Sequence, residues 1–162
     1  MTAPLSEVQA FIALGSNLGD RSENIRLAVD ALRASEGIKM RQVSSLLENP
    51  AVGGPPDSPP FLNAVAEIQT ILPAHELLDR LMDIEQQIGR VRSERWAPRI
   101  IDLDLILYGD QMIKRPHLLI PHPLLHEREF VLRPLAEIAP TVLHPRLKMT
   151  AREMLDRIAH AD

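Results

Sequence analysis

The sequence contains no cysteine, which excludes a disulfide, a thiolate metal site and a cysteine nucleophile. A chain of this kind suits a reducing compartment, and we expect the protein to be cytoplasmic. No apolar run approaches the roughly 20 residues that a membrane-spanning helix needs. The opening residues, MTAPLSEVQAF, also lack the basic and apolar segments of a secretory leader. We therefore expect no membrane partner.

The chain also lacks an excess of positive charge, because its 18 Lys and Arg residues are outnumbered by 22 Asp and Glu. The net charge of -4 argues against a general affinity for nucleic acid, although it permits a local basic patch. Apolar residues make up 45% of the 162 residues and charged residues 25%, an ordinary globular balance. We expect one domain spanning residues 1–162, working as a monomer.

The order of secondary-structure elements predicts the fold class. Apolar periodicity and turn residues predict strand, helix, strand, strand, helix and strand at residues 8–14, 20–37, 38–47, 62–71, 73–89 and 100–108. This β-α-β-β-α-β order is typical of an α+β, ferredoxin-like core, in which a four-stranded antiparallel sheet carries both helices on one face. The segment ENPAVGGPPDSPPF, with five of the 14 prolines, is predicted to be a loop. A C-terminal extension with a helix near 150–158 is predicted to cover the open side of the sheet.

Two aspartates, Asp102 and Asp104, interrupt the last predicted strand, which is otherwise apolar. Side chains alternate along a strand, so both carboxylates share one face. The other face then holds Ile101, Leu103, Leu105 and Leu107. Two unit charges about 5 to 6 Å apart repel by roughly 3 kcal/mol at an effective dielectric near 20, and desolvation adds to that cost. A shared proton, an arginine or a metal ion could compensate.

Four arginines directly precede this strand, in the segment GRVRSERWAPR. Their planar forks of donors match phosphate oxygens better than lysine does. Beside two carboxylates they could complete a site for Mg²⁺ and a polyphosphate. The alternative is a solvated basic loop paired with Glu94 and nearby acids.

Three further features favour a site less strongly. The turn GSNLGD follows a strand and opens a helix, so it could bind phosphate, but without a following lysine it is better explained as a tight structural turn. In IPHPLLHEREF, His122 is a fair phosphate contact, whereas His126 is better explained as a surface or core residue. Phe61 and Phe130 are two of only five aromatic residues; they could pack in the core or sandwich a flat heterocycle.

Four segments together resemble the 6-hydroxymethyl-7,8-dihydropterin pyrophosphokinases of folate biosynthesis: FIALGSNLGDR, FLNAV, IEQQIGRVRSERWAPRIIDLDLILYG and IPHPLLHEREFVLRPLAEIAP. The resemblance covers nearly the whole chain. It implies a ferredoxin-like core and transfer of the β,γ-diphosphate of ATP to the hydroxymethyl oxygen of the pterin, with release of AMP. It also implies two Mg²⁺ ions as cofactors, with ATP and 6-hydroxymethyl-7,8-dihydropterin as partners.

The same resemblance assigns roles to individual residues. Those implied to be catalytic are Arg90, Arg99, Asp102 and Asp104, of which the two aspartates hold the metal ions. Those implied to bind ATP are Glu85, Arg92, Arg95, Trp96, Leu105, His122 and Arg128. Those implied to bind the pterin are Pro50, Val52, Phe61, Asn63, Trp96 and Phe130.

Two other functions fit parts of the sequence. Ferredoxin-like domains often bind RNA, and the arginine segment could contact its backbone, although the net charge is negative and the predicted sheet lacks an aromatic RNA-binding signature. A metal-dependent hydrolase could use Asp102, Asp104 and His122 around one transition metal.

Overall fold

An antiparallel sheet forms the centre of this computed structural model, which describes residues 6–49, 60–92 and 100–159. The sheet strands are β1 Val8–Ser16, β2 Ile38–Val43, β3 Leu47–Asn49, β4 Phe61–Thr70 and β5 Asp102–Tyr108, and a separate hairpin comprises β6 Ile113–Arg115 and β7 Leu118–Ile120. The helices are α1 Arg21–Ala34, α2 Ala74–Arg92, α3 Glu129–Ile138 and α4 Ala151–Ala159, with a short 3₁₀ helix at Leu125–Glu127.

The strand order confirms the predicted connectivity. The order is β2-β4-β1-β5, with β3 pairing to β4, and each neighbouring pair is antiparallel. The two βαβ units therefore interlock as they do in a ferredoxin-like core. Both β1 and β4 lie inside the sheet, whereas β5 lies at one edge.

Apolar side chains fill both faces of the sheet. Helices α1 and α2 cover one face, where the core includes Ile12, Leu14, Ile25, Leu32, Leu77 and Leu81. Helices α3 and α4 cover the other, where the core includes Phe11, Val65, Leu107, Leu132, Leu135 and Met154. The C-terminal extension thus covers the second face, as predicted. None of the helices in the described ranges combines the length and apolar character needed to cross a bilayer.

The C-terminal extension contains one helix that was predicted and one that was not. Helix α4 begins where the sequence indicates, because Thr150 and Glu153 cap its first turn through reciprocal bonds to each other's backbone N–H. Helix α3 was not predicted, because Pro134 lies in its interior and cannot donate a backbone hydrogen bond. Burial of Leu132 and Leu135 against the sheet stabilises the helix despite this proline.

The prediction of a single strand at 38–47 is wrong, because this segment forms two separate strands, β2 and β3. Ser44 accepts the Val65 backbone N–H through its side-chain oxygen, and Ser45 donates both its N–H and its hydroxyl to the carboxylate of Glu137 on α3. The Ser44 N–H still donates to the Val65 carbonyl at 2.9 Å, but the Ser45 N–H turns to Glu137 instead of continuing the ladder with β4. Strand β3 then includes Glu48 and Asn49, which were predicted to belong to the loop.

Two other boundaries differ from prediction for local reasons. Strand β1 continues through Gly15 and Ser16, into the predicted turn. Helix α2 does not end at Gly89 but runs to Arg92, because this glycine does not have the left-handed backbone of a helix C-cap.

A β-bulge in β5 corrects the predicted alternation of side chains. Phe11 pairs with Leu107 and Ile12 with Leu105, so Ile106 is an extra residue in the strand. Leu107 therefore faces α3 and α4, whereas Leu103 and Leu105 face α1 and α2. The prediction that Leu107 shares a face with them is wrong. The carbonyl of Ile106 accepts the backbone N–H of His122 at 3.0 Å.

Candidate active site

Six of the predicted site residues line one cavity of about 210 Å³, which lies where β1 ends and where β4 and β5 begin. They are Phe61, Asn63, Asp102, Asp104, Arg128 and Phe130. The last two lie at the start of α3, on the face of the sheet that this helix covers. The fold thus brings together residues assigned to the pterin, to ATP and to the metal.

Strand register explains why these side chains converge. Gly15 pairs with Asn63 on one side and with Asp102 on the other, and Ala13 pairs with Asp104. Residues at paired positions point to the same face of a sheet. The amide of Asn63 and the two carboxylates therefore flank a strip of β1 that carries very little side chain.

Gly15 is a cavity residue that the sequence prediction missed. A Cβ atom at this position would lie 3.0 Å from Nδ2 of Asn63 and 3.7 Å from Cδ1 of Phe61. A glycine inside a strand often marks the close approach of a ligand or another backbone, which is the signal that could have identified it. Asn49 was also missed: it lines the cavity and pairs with Phe61 because β3 continues to that residue.

The two aspartates are less buried than an apolar strand suggests. Asp104 is exposed and Asp102 is half-buried, although most of β5 is buried. Opening onto a cavity lowers the desolvation cost that the sequence predicted for this pair. Between them, the Leu103 N–H donates to Oε2 of Glu85 at 2.7 Å. Glu85, predicted as an ATP contact, thus holds the exposed edge of β5 between the two carboxylates.

The donor set of this cavity fits Mg²⁺. Carboxylate oxygens are hard ligands, and Mg²⁺ commonly uses one or two of them together with water and substrate phosphates. Within residues 6–49, 60–92 and 100–159, no three histidine or acidic side chains are grouped to enclose a metal. An all-protein cage of the kind that a tightly held transition metal uses is therefore not present in the described part of the chain.

A second cavity, of about 290 Å³, meets the first at Asp104, which lines both. Two residues predicted to bind ATP, Leu105 and His122, also line it. Its other walls come from α2 and the β6–β7 hairpin. These wall residues include Leu78, Pro116, His117 and Leu118. None of them was predicted. The three hairpin residues were missed because neither strand of the hairpin exceeds three residues, which is too short for its apolar pattern to be detected.

His122 is prepared to act as a neutral hydrogen-bond donor. Its Nδ1 accepts the Leu124 N–H at 3.1 Å, so in the neutral ring the proton is on Nε2. Burial lowers the pKa of His122, the positive charge of Arg128 lowers it further, and Asp104 opposes both effects. His126 lies elsewhere: its ring packs edge-on against His144, with centroids 6.2 Å apart, and it lines neither cavity.

The remaining polar groups of the first cavity suit a flat, polar heterocycle. Oδ1 of Asn63 is buried and has no hydrogen-bond partner among the described residues, so a ligand N–H would satisfy a costly unpaired acceptor. Phe61 and Phe130 are both half-buried beside it. The guanidinium of Arg128 lies 5.8 Å from the centre of the Phe130 ring, within the range of a cation–π contact.

Several predicted residues lie outside this description. They are Pro50, Val52, Arg95, Trp96 and Arg99, which fall outside the described residues. Arg90 and Arg92 belong to the last turn of α2, but their side chains are likewise outside the described part of the structure.

Comparison with known proteins gives consistent matches. The family model for 7,8-dihydro-6-hydroxymethylpterin-pyrophosphokinase matches residues 11–140. The chain is 40% identical over 149 residues to a Synechocystis 2-amino-4-hydroxy-6-hydroxymethyldihydropteridine pyrophosphokinase, covering 92% of this chain and 75% of that protein. It is 45% identical over 133 residues to the Bacillus subtilis protein of the same name, covering 82% and 79%.

A solved structure supports the fold independently. The chain superposes on a crystal structure of Plasmodium falciparum HPPK-DHPS with a TM-score of 0.76 at 15% identity. The match covers 95% of this chain and 46% of the solved chain, so this chain spans less than half the length of that protein.

Proposed function

Because the chain belongs to the 7,8-dihydro-6-hydroxymethylpterin-pyrophosphokinase family, we propose that its two substrates occupy the two cavities that meet at Asp104. The enzyme transfers diphosphate from ATP to the hydroxymethyl oxygen of 6-hydroxymethyl-7,8-dihydropterin and releases AMP, a step of folate biosynthesis. The observation that supports our assignment best is the shared position of Asp104, because a group-transfer enzyme must bring donor and acceptor together at one point.

We assign the pterin to the cavity between β1, β4 and α3. Phe61 and Phe130 would contact the faces of the ring, and the unpaired Oδ1 of Asn63 would accept an N–H from its edge. Gly15 leaves room for the ring beside Asn63. The roles of Pro50, Val52 and Trp96 in pterin binding are inferred from the family resemblance.

We assign ATP to the cavity beside the β6–β7 hairpin. The Nε2–H of His122 would donate to a phosphate oxygen without adding charge, and Leu105 would contact the nucleotide. Arg128 lines the first cavity, and its role in ATP binding is inferred from the family resemblance. Glu85 supports this site through the Leu103 backbone. The roles of Arg90, Arg92, Arg95, Trp96 and Arg99 are inferred from the family resemblance, which assigns Arg90 and Arg99 to the transferring phosphates.

Asp102 and Asp104 would hold Mg²⁺, and the family resemblance implies two ions. When bound, the metal would neutralise phosphate charge and help to align the diphosphate. The protein itself performs the positioning: the cavity beside β1 directs the pterin hydroxyl towards Asp104, for in-line attack on the β-phosphorus. A new P–O bond then forms as the bond to AMP breaks, and either aspartate could take the hydroxyl proton.

The wider setting is also inferred. We propose that residues 1–162 act as one pyrophosphokinase domain, since both apolar cores pack against the same sheet. We further propose that it works in the cytoplasm as a monomer, without a nucleic-acid or membrane partner. The absence of cysteine supports a reducing compartment, and the net charge of -4 argues against a general affinity for nucleic acid.

Binding measurements on two variants test the assignment of the cavities. Phe130→Ala should weaken binding of 6-hydroxymethyl-7,8-dihydropterin and leave that of a non-hydrolysable ATP analogue nearly unchanged. His122→Gln should do the reverse. His126→Gln is the matched control, because this histidine lines neither cavity, and it should change neither affinity. Equal losses for both ligands in each variant would contradict the assignment.

A further inference from the structure

Two buried polar residues next to the site form a network that the proposed mechanism does not use. Ser16, at the end of β1, donates its hydroxyl to the carbonyl of Ile100 at 2.6 Å. Nδ2 of Asn24 on α1 donates to Oγ of Ser16 at 3.2 Å and to the carbonyl of Leu18 at 2.9 Å. Ser16 and Asn24 are each only 1% exposed.

The donors and acceptors of this network determine its direction. A serine hydroxyl has a single proton. Because Asn24 is the donor in its bond to Oγ of Ser16, the serine proton is not used in that bond and can be donated to another acceptor. It goes to the Ile100 carbonyl. The opposite orientation of the Asn24 amide would place Oδ1 against the Leu18 carbonyl, acceptor against acceptor. Asn24 therefore directs the Ser16 hydroxyl towards Ile100.

The bond lies where the β1–β5 ladder ends. The last paired residues are Gly15 and Asp102, and the Ser16 hydroxyl holds the chain two residues ahead of Asp102. On the opposite side of β5, Glu85 holds the N–H of Leu103, the residue after Asp102. The backbone on both sides of Asp102 is thus attached to the rest of the fold by buried or half-buried side chains.

We propose that Ser16, oriented by Asn24, is a positioning residue that sets the angle at which the chain enters β5 and so places Asp102 for diphosphate transfer. This role rests on the proposed function. It explains the segment GSNLGD, which sequence reasoning could assign only to a turn or a phosphate loop. On one face of the end of β1, Gly15 leaves space for a substrate. On the other face, Ser16 anchors the start of β5, the strand that carries the two aspartates.

Steady-state kinetics on three variants test this role. Ser16→Ala should lower kcat by about tenfold or more, because small misplacements of reacting groups are costly, while the KM values of ATP and the pterin stay within about twofold. Ser16→Thr keeps the hydroxyl and should restore most of kcat. Thr70→Val is the matched control: the Thr70 hydroxyl also donates to a backbone carbonyl, that of Gly37, at 2.7 Å, but at the opposite end of the sheet. It should lower the melting temperature as Ser16→Ala does and leave kcat unchanged.

Asn24→Asp tests the direction of the bond without removing the hydroxyl. A carboxylate cannot donate to Ser16 and would instead accept its proton, so the Ile100 carbonyl should lose its donor and kcat should fall as in Ser16→Ala. Hydrogen exchange gives a readout that needs no turnover: amides at 101–104 should exchange faster in Ser16→Ala and Asn24→Asp than in Thr70→Val. The proposal is wrong if Ser16→Ala keeps the wild-type kcat and exchange, or if Thr70→Val loses kcat equally. If the wild-type protein formed no AMP, the proposed function would be refuted. Hydrogen exchange at amides 101–104 would still decide whether Ser16 positions the start of β5.

Discussion

Gly15→Ala should weaken pterin binding, because it adds a methyl group beside two residues assigned to the pterin. The strand at Gly15 has an ordinary extended backbone that alanine can adopt, so the added methyl group affects mainly the cavity. It would lie 3.0 Å from Nδ2 of Asn63, closer than the 3.5 to 4.0 Å or so of a comfortable contact. It would also lie 3.7 Å from Cδ1 of Phe61. The methyl group would thus fill space beside two residues assigned to the pterin.

The size of the effect follows from the packing. Forcing an extra methyl group into a close-packed site costs about 1 to 3 kcal/mol. If that cost falls on the bound state, pterin affinity drops roughly five- to 150-fold. Calorimetric titration of the pterin, together with its KM, measures the loss. The KM of ATP should change by less than about twofold, because Gly15 does not line the second cavity.

Gly89→Ala is the control for this experiment. Among the described residues, and apart from the backbone of its own helix, a Cβ at Gly89 would meet no atom within 4 Å, so this glycine-to-alanine change should leave pterin affinity intact. Wild-type pterin affinity in Gly15→Ala would refute the assignment of the ring to this cavity. An equal loss of ATP affinity would refute the separation of the two cavities.

Three further predictions concern stability. Gly89→Ala should raise the free energy of unfolding by about 0.5–1 kcal/mol, since it lies inside α2; a urea titration showing a loss would mean that the helix ends there. Two hydrogen bonds from Ser45 lower the pKa of Glu137, so their contribution is present above its ordinary pKa of 4.5 and is lost as pH falls through the lowered value of the folded state. Glu137→Gln should therefore be less stable than wild type at neutral pH and lose less on acidification, and parallel acid-unfolding curves would contradict this. Burial lowers the pKa of His144, aided by Arg146 and His126, so stability should fall as pH drops below the ordinary 6.5. His144→Asn can still accept the backbone N–H groups of Arg146 and Leu147. The melting temperature of this variant should fall less steeply than that of the wild type between about pH 7 and 5. An equal fall in both proteins would refute the role of His144 in this pH dependence.

Local patterns predicted the core elements because each strand and helix carries its own apolar periodicity. They failed where distant contacts decide. Pro134 alone indicates a helix break, yet packing of its neighbours on the sheet maintains α3. The contact of Ser45 with Glu137, 92 residues away, breaks the predicted second strand. The bulge at Ile106 arises from the register with β1 and leaves no mark in the alternation of its own strand.

The candidate site shows the same division. Residue type and family resemblance placed Phe61, Asn63 and the aspartate pair in the predicted site before any register was known, and all four line the first cavity. Gly15 was missed because its role depends on having Asn63 and Asp102 as its neighbours on two strands distant in sequence. In the sequence Gly15 was only the first residue of the turn GSNLGD, because the strand was predicted to end at Leu14.

The most direct test of the account is to identify the nucleotide product. Purified protein is incubated with ATP, Mg²⁺ and 6-hydroxymethyl-7,8-dihydropterin, alongside Asp102→Asn, Asp104→Asn and the control Asp83→Asn, which changes an exposed aspartate on α2. We expect AMP and the pterin diphosphate in equal amounts from the wild type and the control, and a loss of about a hundredfold or more in each of the other two variants. ADP or free phosphate as the product, or full activity in Asp104→Asn, would contradict diphosphate transfer at the junction of the two cavities.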